Sequence, residues 1–293
     1  MATSLSDDLR RAMRPNGNAL HRLILYNVLV YVVLVITGAV LGLSGLSGVH
    51  EMLKSWLMLP SWLPSLLIRP WTVLTYAFTH EGFFHILFNM LNLFWFGQLL
   101  VEYLNPRRLV SIYVLGALAG AAAFVLAMNF IPVLVARFGY PPIYGASGAV
   151  SAVIVAAATL LPDYTFMLLL LGPVRIKWIA AVLVLLSVSG LTGDNAGGQF
   201  AHLGGALLGF LYIRQLQAGR DLGAPLQRAW EWLANLFTPK PPARTSSRGT
   251  ATTVSPPTAD EAAIDRILDK INRSGYESLS KEEKQQLFRA SKK

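Results

Sequence analysis

Residues 82–101 read GFFHILFNMLNLFWFGQLLV. This uncharged run matches the roughly 20 helical residues that cross a hydrocarbon core, yet it carries His85, Asn89, Asn92 and Gln98. His85 and Asn89 lie four apart and share a helical face, which Asn92 extends by another turn. Polar groups cost energy inside a bilayer, so each one placed there marks a candidate site.

The rest of the chain agrees with a membrane setting. Of 293 residues, 54% are hydrophobic and 14% charged, and the mean hydropathy is +0.47. Soluble domains average about 45–50% apolar and about 25% charged. That balance excludes an ordinary cytosolic enzyme, a disordered tail protein and a nucleic-acid module. Further uncharged runs span Leu23–His50, Leu109–Ala136, Phe138–Pro162, Trp178–Gly193 and Asn195–Ile213. With Gly82–Val101 they predict an all-α polytopic membrane protein, a bundle of six transmembrane helices. The shorter run from Tyr164 to Val174, holding Gly172-Pro173, is expected to be an interfacial loop. The absence of cysteine removes disulfides, Cys-based metal sites and a thiol nucleophile from consideration.

Lys and Arg set the expected orientation. With the amino terminus inside, only Lys54, Arg69 and Arg137 of the 25 basic residues face outward. Both termini are then cytoplasmic, in a cell (inner) membrane. The first residues are too polar, and the first span too long, for a cleaved signal peptide. Four segments follow: a cytoplasmic stretch 1–22, the six-span core 23–217, an interfacial segment and Pro-rich linker 218–258, and a cytoplasmic helical appendage 259–293. Within the appendage, Ile264, Ile267, Leu268 and Ile271 form a 3.6-period stripe. Gly275 is suited to follow a helix end, and Ser280-Lys281-Glu282-Glu283 reads as a capping box.

Parity adds to this. Spans two, four and six run in the same direction, so their early residues reach similar depth in the outer leaflet. His85, Asn89, Ser147 and His202 can converge there. Gly205-x-x-x-Gly209 and the row Gly148, Ala152, Ala156 are small-residue faces along which two helices approach closely. A serine beside a histidine, with amide and imidazole donors opposite, suits acyl transfer. The same residues taken singly also fit plain structural roles: a serine bonded to its own backbone, a histidine meeting a packing neighbour, an asparagine joining two helices.

At these residues the sequence resembles the rhomboid intramembrane serine proteases. His80-Glu81-Gly82-Phe83-Phe84-His85 with Asn89 fits the family's H-x4-H-x3-N pattern, Gly145-Ala146-Ser147-Gly148 its G-x-S-G, and Ala201-His202 with Gly205 and Gly209 its A-H-x2-G-x3-G. The three motifs stand in the family's order, within a region from about residue 20 to 217. The resemblance implies Ser147 as nucleophile and His202 as general base, a dyad without an aspartate. It implies Asn89, His85 and the backbone N–H of Ser147 as donors to the oxyanion, and His80 as an anchor for the first outer loop. Metal and cofactor are not needed, and the implied partners are the lipid bilayer and single-span membrane proteins cleaved near the outer face. The alternative is a non-catalytic rhomboid-like chaperone or adaptor for transmembrane clients. Two positions depart from the family pattern: Thr72 follows Trp71 where the family has arginine, and Ser151 stands where an aromatic commonly packs on the histidine. The tail from Ile264 also resembles a short carboxy-terminal extension of some bacterial rhomboids.

Overall fold

Helix α1 (Ala19–Leu43) opens the computed structural model, which describes residues 19–168, 172–237 and 259–290. Most of its length turns Leu29, Val32, Val33, Ile36 and Val40 outward. A soluble protein rarely exposes so continuous an apolar face; lipid accepts one. The helix stops at Gly45, whose φ of 72° only glycine adopts without strain. Short helices α2 (Ser47–Ser55), α3 (Leu63–Ile68) and α4 (Thr72–Thr75) follow, and α4 runs into a 3₁₀ turn at Tyr76–Phe78. The expected run Leu23–His50 is therefore broken, and His50 belongs to α2.

This segment of short helices holds together without an arginine at position 72. Trp56 and Trp71 stack with ring centroids 5.7 Å apart, and Trp71 Nε1 donates to the Trp56 carbonyl at 2.9 Å. Arg69, three residues upstream, lies over the Trp56 ring and donates to the Ser55 carbonyl at 2.8 Å. Thr72 donates its hydroxyl back to the Arg69 carbonyl at 2.6 Å.

Helix α5 (Phe83–Tyr103) occupies the stretch that decided the fold. Asn105 starts α6 (Pro106–Phe130): its side-chain oxygen accepts from the Arg108 N–H at 2.9 Å, with Pro106 at the first helical position. The expected third run, Leu109–Ala136, does not stay one helix. Pro132 cannot donate to a continuing ladder, so α6 ends at Phe130 and α7 (Pro132–Phe138) begins afresh. The fourth run shortens more. Residues 139–146 form a non-helical strap carrying Pro141 and Pro142, and α8 (Ser147–Leu160) begins at the serine itself. The strap pairs with the segment of short helices through reciprocal Leu59–Ile143 backbone hydrogen bonds of 2.9 Å.

The segment expected as a loop from Tyr164 to Val174 forms an antiparallel hairpin, β1 (Thr165–Leu168) with β2 (Gly172–Arg175), in register Thr165–Arg175 to Leu168–Gly172. Among the described residues it is the one sheet, of two strands, in an otherwise mainly helical fold. Phe166 joins it to α5 through the ring of Phe96, 5.0 Å away. Asp163 binds Lys177 at 2.7 Å and Arg175 at 3.2 Å, which holds its carboxyl below the usual range. Helices α9 (Ile176–Ser189), α10 (Ala196–Gln217) and α11 (Ala224–Phe237) complete this part of the chain.

Among the described residues, α1, α5 and α6 are long and apolar enough to cross a membrane, and α8 and α9 are shorter apolar helices. A helix of 14 residues such as α8 rises only about 21 Å. It is enclosed by other helices, with Gly148–Ile154 and Ala156–Ala158 buried. Helix α10 has the length, but Gly197, Gly198, Gln199, His202 and Gly204 dilute its hydropathy. Among the described residues the uncharged runs thus become helices of unequal length, three of them long and apolar enough to span.

The described chain divides into two compact units between Leu233 and Ala234. In the second, α12 (Ala259–Ser274) and α13 (Lys281–Ala290) form a helical pair. Gly275 takes a φ of 78° just after α12. The capping box closes reciprocally: the Ser280 N–H donates to the Glu283 carboxylate at 2.7 Å, and the Glu283 N–H donates to the Ser280 hydroxyl at 3.3 Å. Ile267 and Leu279 are buried. The proline-rich linker lies outside the described residues.

Candidate functional site

Close helix packing brings the site together. At Gly205 on α10 an added Cβ would lie 1.9 Å from the Gly148 carbonyl oxygen, and at Gly209 one would lie 2.2 Å from that of Ala152. The two glycines expected to let helices approach therefore sit backbone to backbone against α8. Helix α6 also packs tightly, though less so: a Cβ at Gly204 would meet the Ala119 carbonyl at 2.6 Å.

Ser147 is the first residue of α8, and His202 lies nearly two helical turns into α10. Across that seam Nε2 of His202 stands 2.8 Å from Oγ of Ser147. Both residues are half-buried and line a cavity of about 560 Å³ whose other walls include Tyr76, His85, Met128, Tyr144, Gly145 and Asn195. The strap supplies one wall, and the 3₁₀ turn supplies the floor. Tyr76, buried, gives its hydroxyl to the Ala117 carbonyl at 2.7 Å and accepts the Gly145 N–H on its own carbonyl at 2.9 Å. Nothing in the sequence pattern singled out Tyr76; only the fold sets it beneath the serine.

Gly145 has a φ of 119°, and a Cβ there would lie 2.7 Å from Nε2 of His85. Glycine is required on both counts: backbone conformation and the close approach of an imidazole. His80 is buried, and its Nε2 accepts the Ala146 N–H at 3.2 Å. It thus anchors the strap immediately before the serine. The His80 and His85 rings meet edge to face, 5.1 Å apart.

Asn89, the other expected oxyanion donor, bonds within its own helix. It is buried and shares a face with His85, but its Nδ2 donates to the His85 carbonyl at 2.9 Å. It is not among the residues lining the cavity. One of its two amide N–H groups is thus engaged by its own helix, as short polar side chains within helices often are. The donors beside Ser147 are the imidazole of His85 and the backbone N–H groups of the first turn of α8. No side chain caps that turn, so its N–H groups and its dipole face the cavity end.

Two further polar groups meet His202 on its far side. Gln199 Oε1 lies 3.2 Å from Nδ1, and the buried Ser187 hydroxyl of α9 lies 3.5 Å from the same nitrogen. Neither was singled out in the sequence. Gln199 stands one turn before His202, so an i,i+3 search around the histidine would have found it; Ser187 gives no such signal. Ser151, where an aromatic was expected, is also buried on α8.

At the rim, Lys54 bridges Glu81 at 2.5 Å and Glu51 at 2.7 Å. Burial raises the Glu81 carboxyl, but hydrogen bonds from Lys54 and Tyr144 outweigh it and hold Glu81 below its ordinary value. Burial likewise lowers the Lys54 ammonium, and its two carboxylates more than reverse this. Among the described residues no three His, Cys, Asp or Glu side chains gather in a metal-holding group. Chemically, the arrangement offers a hydroxyl, a base bonded to it, and N–H donors at a helix start.

Residues 68–217 match the Rhomboid domain, and residues 258–293 match a family of unknown function (DUF6576). The chain is 32% identical over 192 residues to Rhomboid protein 1, mitochondrial, of Saccharomyces cerevisiae, covering 63% of this chain and 52% of the yeast protein. It is 28% identical over 158 residues to RHOMBOID-like protein 12, mitochondrial, of Arabidopsis thaliana, covering 51% and 47%. It is 31% identical over 142 residues to the Presenilin-associated rhomboid-like protein, mitochondrial, of Mus musculus, covering 47% and 36%. The matched region thus spans about half or less of the length of each of these relatives.

Proposed function

The chain belongs to the rhomboid family, and on that premise we propose that it is an intramembrane serine endopeptidase. The observation that carries the proposal is the 2.8 Å contact between Ser147 Oγ and His202 Nε2 across the α8–α10 seam. His202 takes the hydroxyl proton as Ser147 attacks the scissile carbonyl. The tetrahedral oxyanion is met by the Ser147 N–H, the dipole of α8 and the His85 imidazole. His202 then gives the proton to the leaving amine, and an acyl-enzyme forms on Ser147. Water activated by the same imidazole releases the second product.

The substrates are membrane proteins with a single span. A formed helix hides its carbonyls in intrahelical hydrogen bonds, so the scissile segment must unwind near the outer face before attack. The chain crosses the bilayer six times with its described amino-terminal end inside, the short helices α8 and α9 lying among longer neighbours, and it resides in a cell (inner) membrane. Neither a metal nor an organic cofactor enters the reaction. The chaperone or adaptor reading has no use for a serine bonded to a histidine at the end of a cavity.

The test compares wild type with Ser147→Ala on a labelled single-span substrate in detergent and in proteoliposomes, alongside fluorophosphonate labelling. Cleavage and labelling that vanish together in the variant are expected. Cleavage that persists in Ser147→Ala overturns the assignment.

A further inference from the structure

A general base must present a lone pair to the hydroxyl it deprotonates. In neutral imidazole one nitrogen carries the proton and the other accepts, and whatever bonds the far nitrogen selects between the two forms. For His202 the near nitrogen, Nε2, faces Ser147 at 2.8 Å. The far nitrogen, Nδ1, faces the amide oxygen of Gln199 at 3.2 Å. An amide oxygen accepts only, so this contact requires a proton on Nδ1 and leaves Nε2 free to accept.

We propose that Gln199 is a positioning residue for the base, fixing both the ring orientation and the tautomer of His202. The assignment rests on the endopeptidase reading above. The glutamine is itself held in place. It lies three residues before His202 on α10 and so shares its face. A Cβ at Gly190, just past the end of α9, would come within 2.9 Å of Gln199 Cγ and Cδ. The side chain therefore lies directly against the Gly190 backbone, where only glycine leaves room for it. Ser187, from the last turns of α9, offers a second and longer contact to Nδ1 at 3.5 Å. The end of α9 and the residue after it thus supply Ser187 and hold Gln199 at the far side of the imidazole.

The groups facing His202 from the surrounding elements are few. Of the titratable groups that line the cavity with it, His85 comes from α5, Tyr76 from the 3₁₀ turn, Tyr144 from the strap and Asp194 from the residues just before α10; the Ser147 hydroxyl comes from α8 and the Ser187 hydroxyl from α9. Among the described residues no carboxylate hydrogen-bonds the ring. A neutral amide in that place orients the imidazole without adding charge. An aspartate orients it and also stabilises the imidazolium that forms during attack.

The experiment uses the full chain in detergent micelles, with wild type, Gln199→Leu and Gln199→Glu measured for kcat, KM, Tm and rate against pH. Histidine ¹⁵N resonances are recorded in parallel, with the His202 signal assigned by its loss in His202→Ala. In Gln199→Leu, kcat should fall roughly 10–100-fold with KM within about twofold, below the ~10⁴ loss seen when an orienting carboxylate is replaced. The His202 signal should move from an Nδ1–H form in wild type to a mixture of tautomers. Gln199→Glu should keep turnover near wild type, and the acid limb of its rate profile should move to higher pH, because a carboxylate beside the ring favours the protonated base.

An unchanged kcat and tautomer in Gln199→Leu overturns the proposal. So does an unshifted acid limb in Gln199→Glu, or a loss of folding in both variants, which would make Gln199 a packing residue. A wild type that cleaves nothing, yet shows the Nδ1–H form and loses it in Gln199→Leu, keeps the positioning role and refutes the protease reading instead.

Discussion

Replacing Gly205 by alanine adds one methyl group and should disable the site without touching it. The new Cβ would lie 1.9 Å from the Gly148 carbonyl oxygen, where real carbon–oxygen contacts do not fall below 3.0 Å. The obstacle is backbone, not a side chain that could rotate away, so α10 and α8 must part by just over 1 Å. Gly148 is the residue after Ser147, and His202 is three residues before Gly205. The separation is therefore imposed where the two helices carry the reacting pair. Added in full to the present 2.8 Å, it would take the contact to roughly 3.9 Å, beyond hydrogen-bonding range. Misplacement by about 1 Å costs on the order of 10² in rate, and overpacking a close interior costs about 1–3 kcal/mol. Gly205→Ala should therefore lose about 10² in kcat/KM on a labelled single-span substrate and several degrees in Tm. Gly48→Ala is the control, because a Cβ there meets nothing within 4 Å. If Gly205→Ala cleaves within about threefold of wild type at an unchanged Tm, the seam is not what sets the Ser147–His202 distance, and the reasoning fails.

Other outcomes follow from the same geometry. Ser147→Ala and His202→Ala should each abolish cleavage, with the double variant no worse than either, since a serine and its base act as one unit; additive losses in the cleavage assay would separate them. Asn89→Ala should cost less than about tenfold, because Asn89 does not line the cavity and its amide nitrogen already donates to the His85 carbonyl, whereas losing an engaged oxyanion donor costs about 10²–10³; a loss of that larger size in kcat would mean that the second amide N–H of Asn89 reaches the cavity during turnover. The Lys54–Glu81 bridge sets a pH window. Glu81 is held below its ordinary 4.5, so its contribution is present above that pH and lost as pH falls further; Lys54 is held above 10.5, so its share is lost only in stronger alkali. The Tm difference between wild type and Lys54→Met should accordingly be flat from about pH 5 to 10 and shrink below about pH 4; a difference that disappears at neutral pH would remove the bridge from the account. Finally, a chain ending at Phe237 should keep its cleavage rate, since every residue lining the cavity lies between Tyr76 and His202; lost activity with retained helical content would assign residues 238–293 a part in catalysis.

Much of this protein was legible in the order of its residues. Composition and uncharged runs depend only on local hydrophobicity, and they placed the helices to within a few residues around Phe83–Tyr103 and Ala196–Gln217. Reading alternate spans as parallel brought Ser147 and His202 to one place, where the structure has them in contact, and the 3.6-residue period put Gly205 and Gly209 on one face. Local rules also gave the Gly275 turn and the Ser280–Glu283 capping box, because their partners lie within a few positions in the chain. Helix length was less legible. Pro132 and the residue 139–146 strap shorten runs that hydropathy alone counts as continuous. The tertiary structure decided which polar atom meets which. Ser147 and His202 are 55 residues apart, and His80 and Ala146 are 66. Whether such atoms touch depends on ångström-scale helix approach, set here by carbonyls that leave no room for a Cβ. The same packing turned Asn89 back onto its own helix, slid Tyr76 beneath the serine, and brought Gln199 and Ser187 to the far side of the base. Hydropathy cannot encode these choices, because each is a competition among hydrogen-bond partners that exists only once the helices have closed.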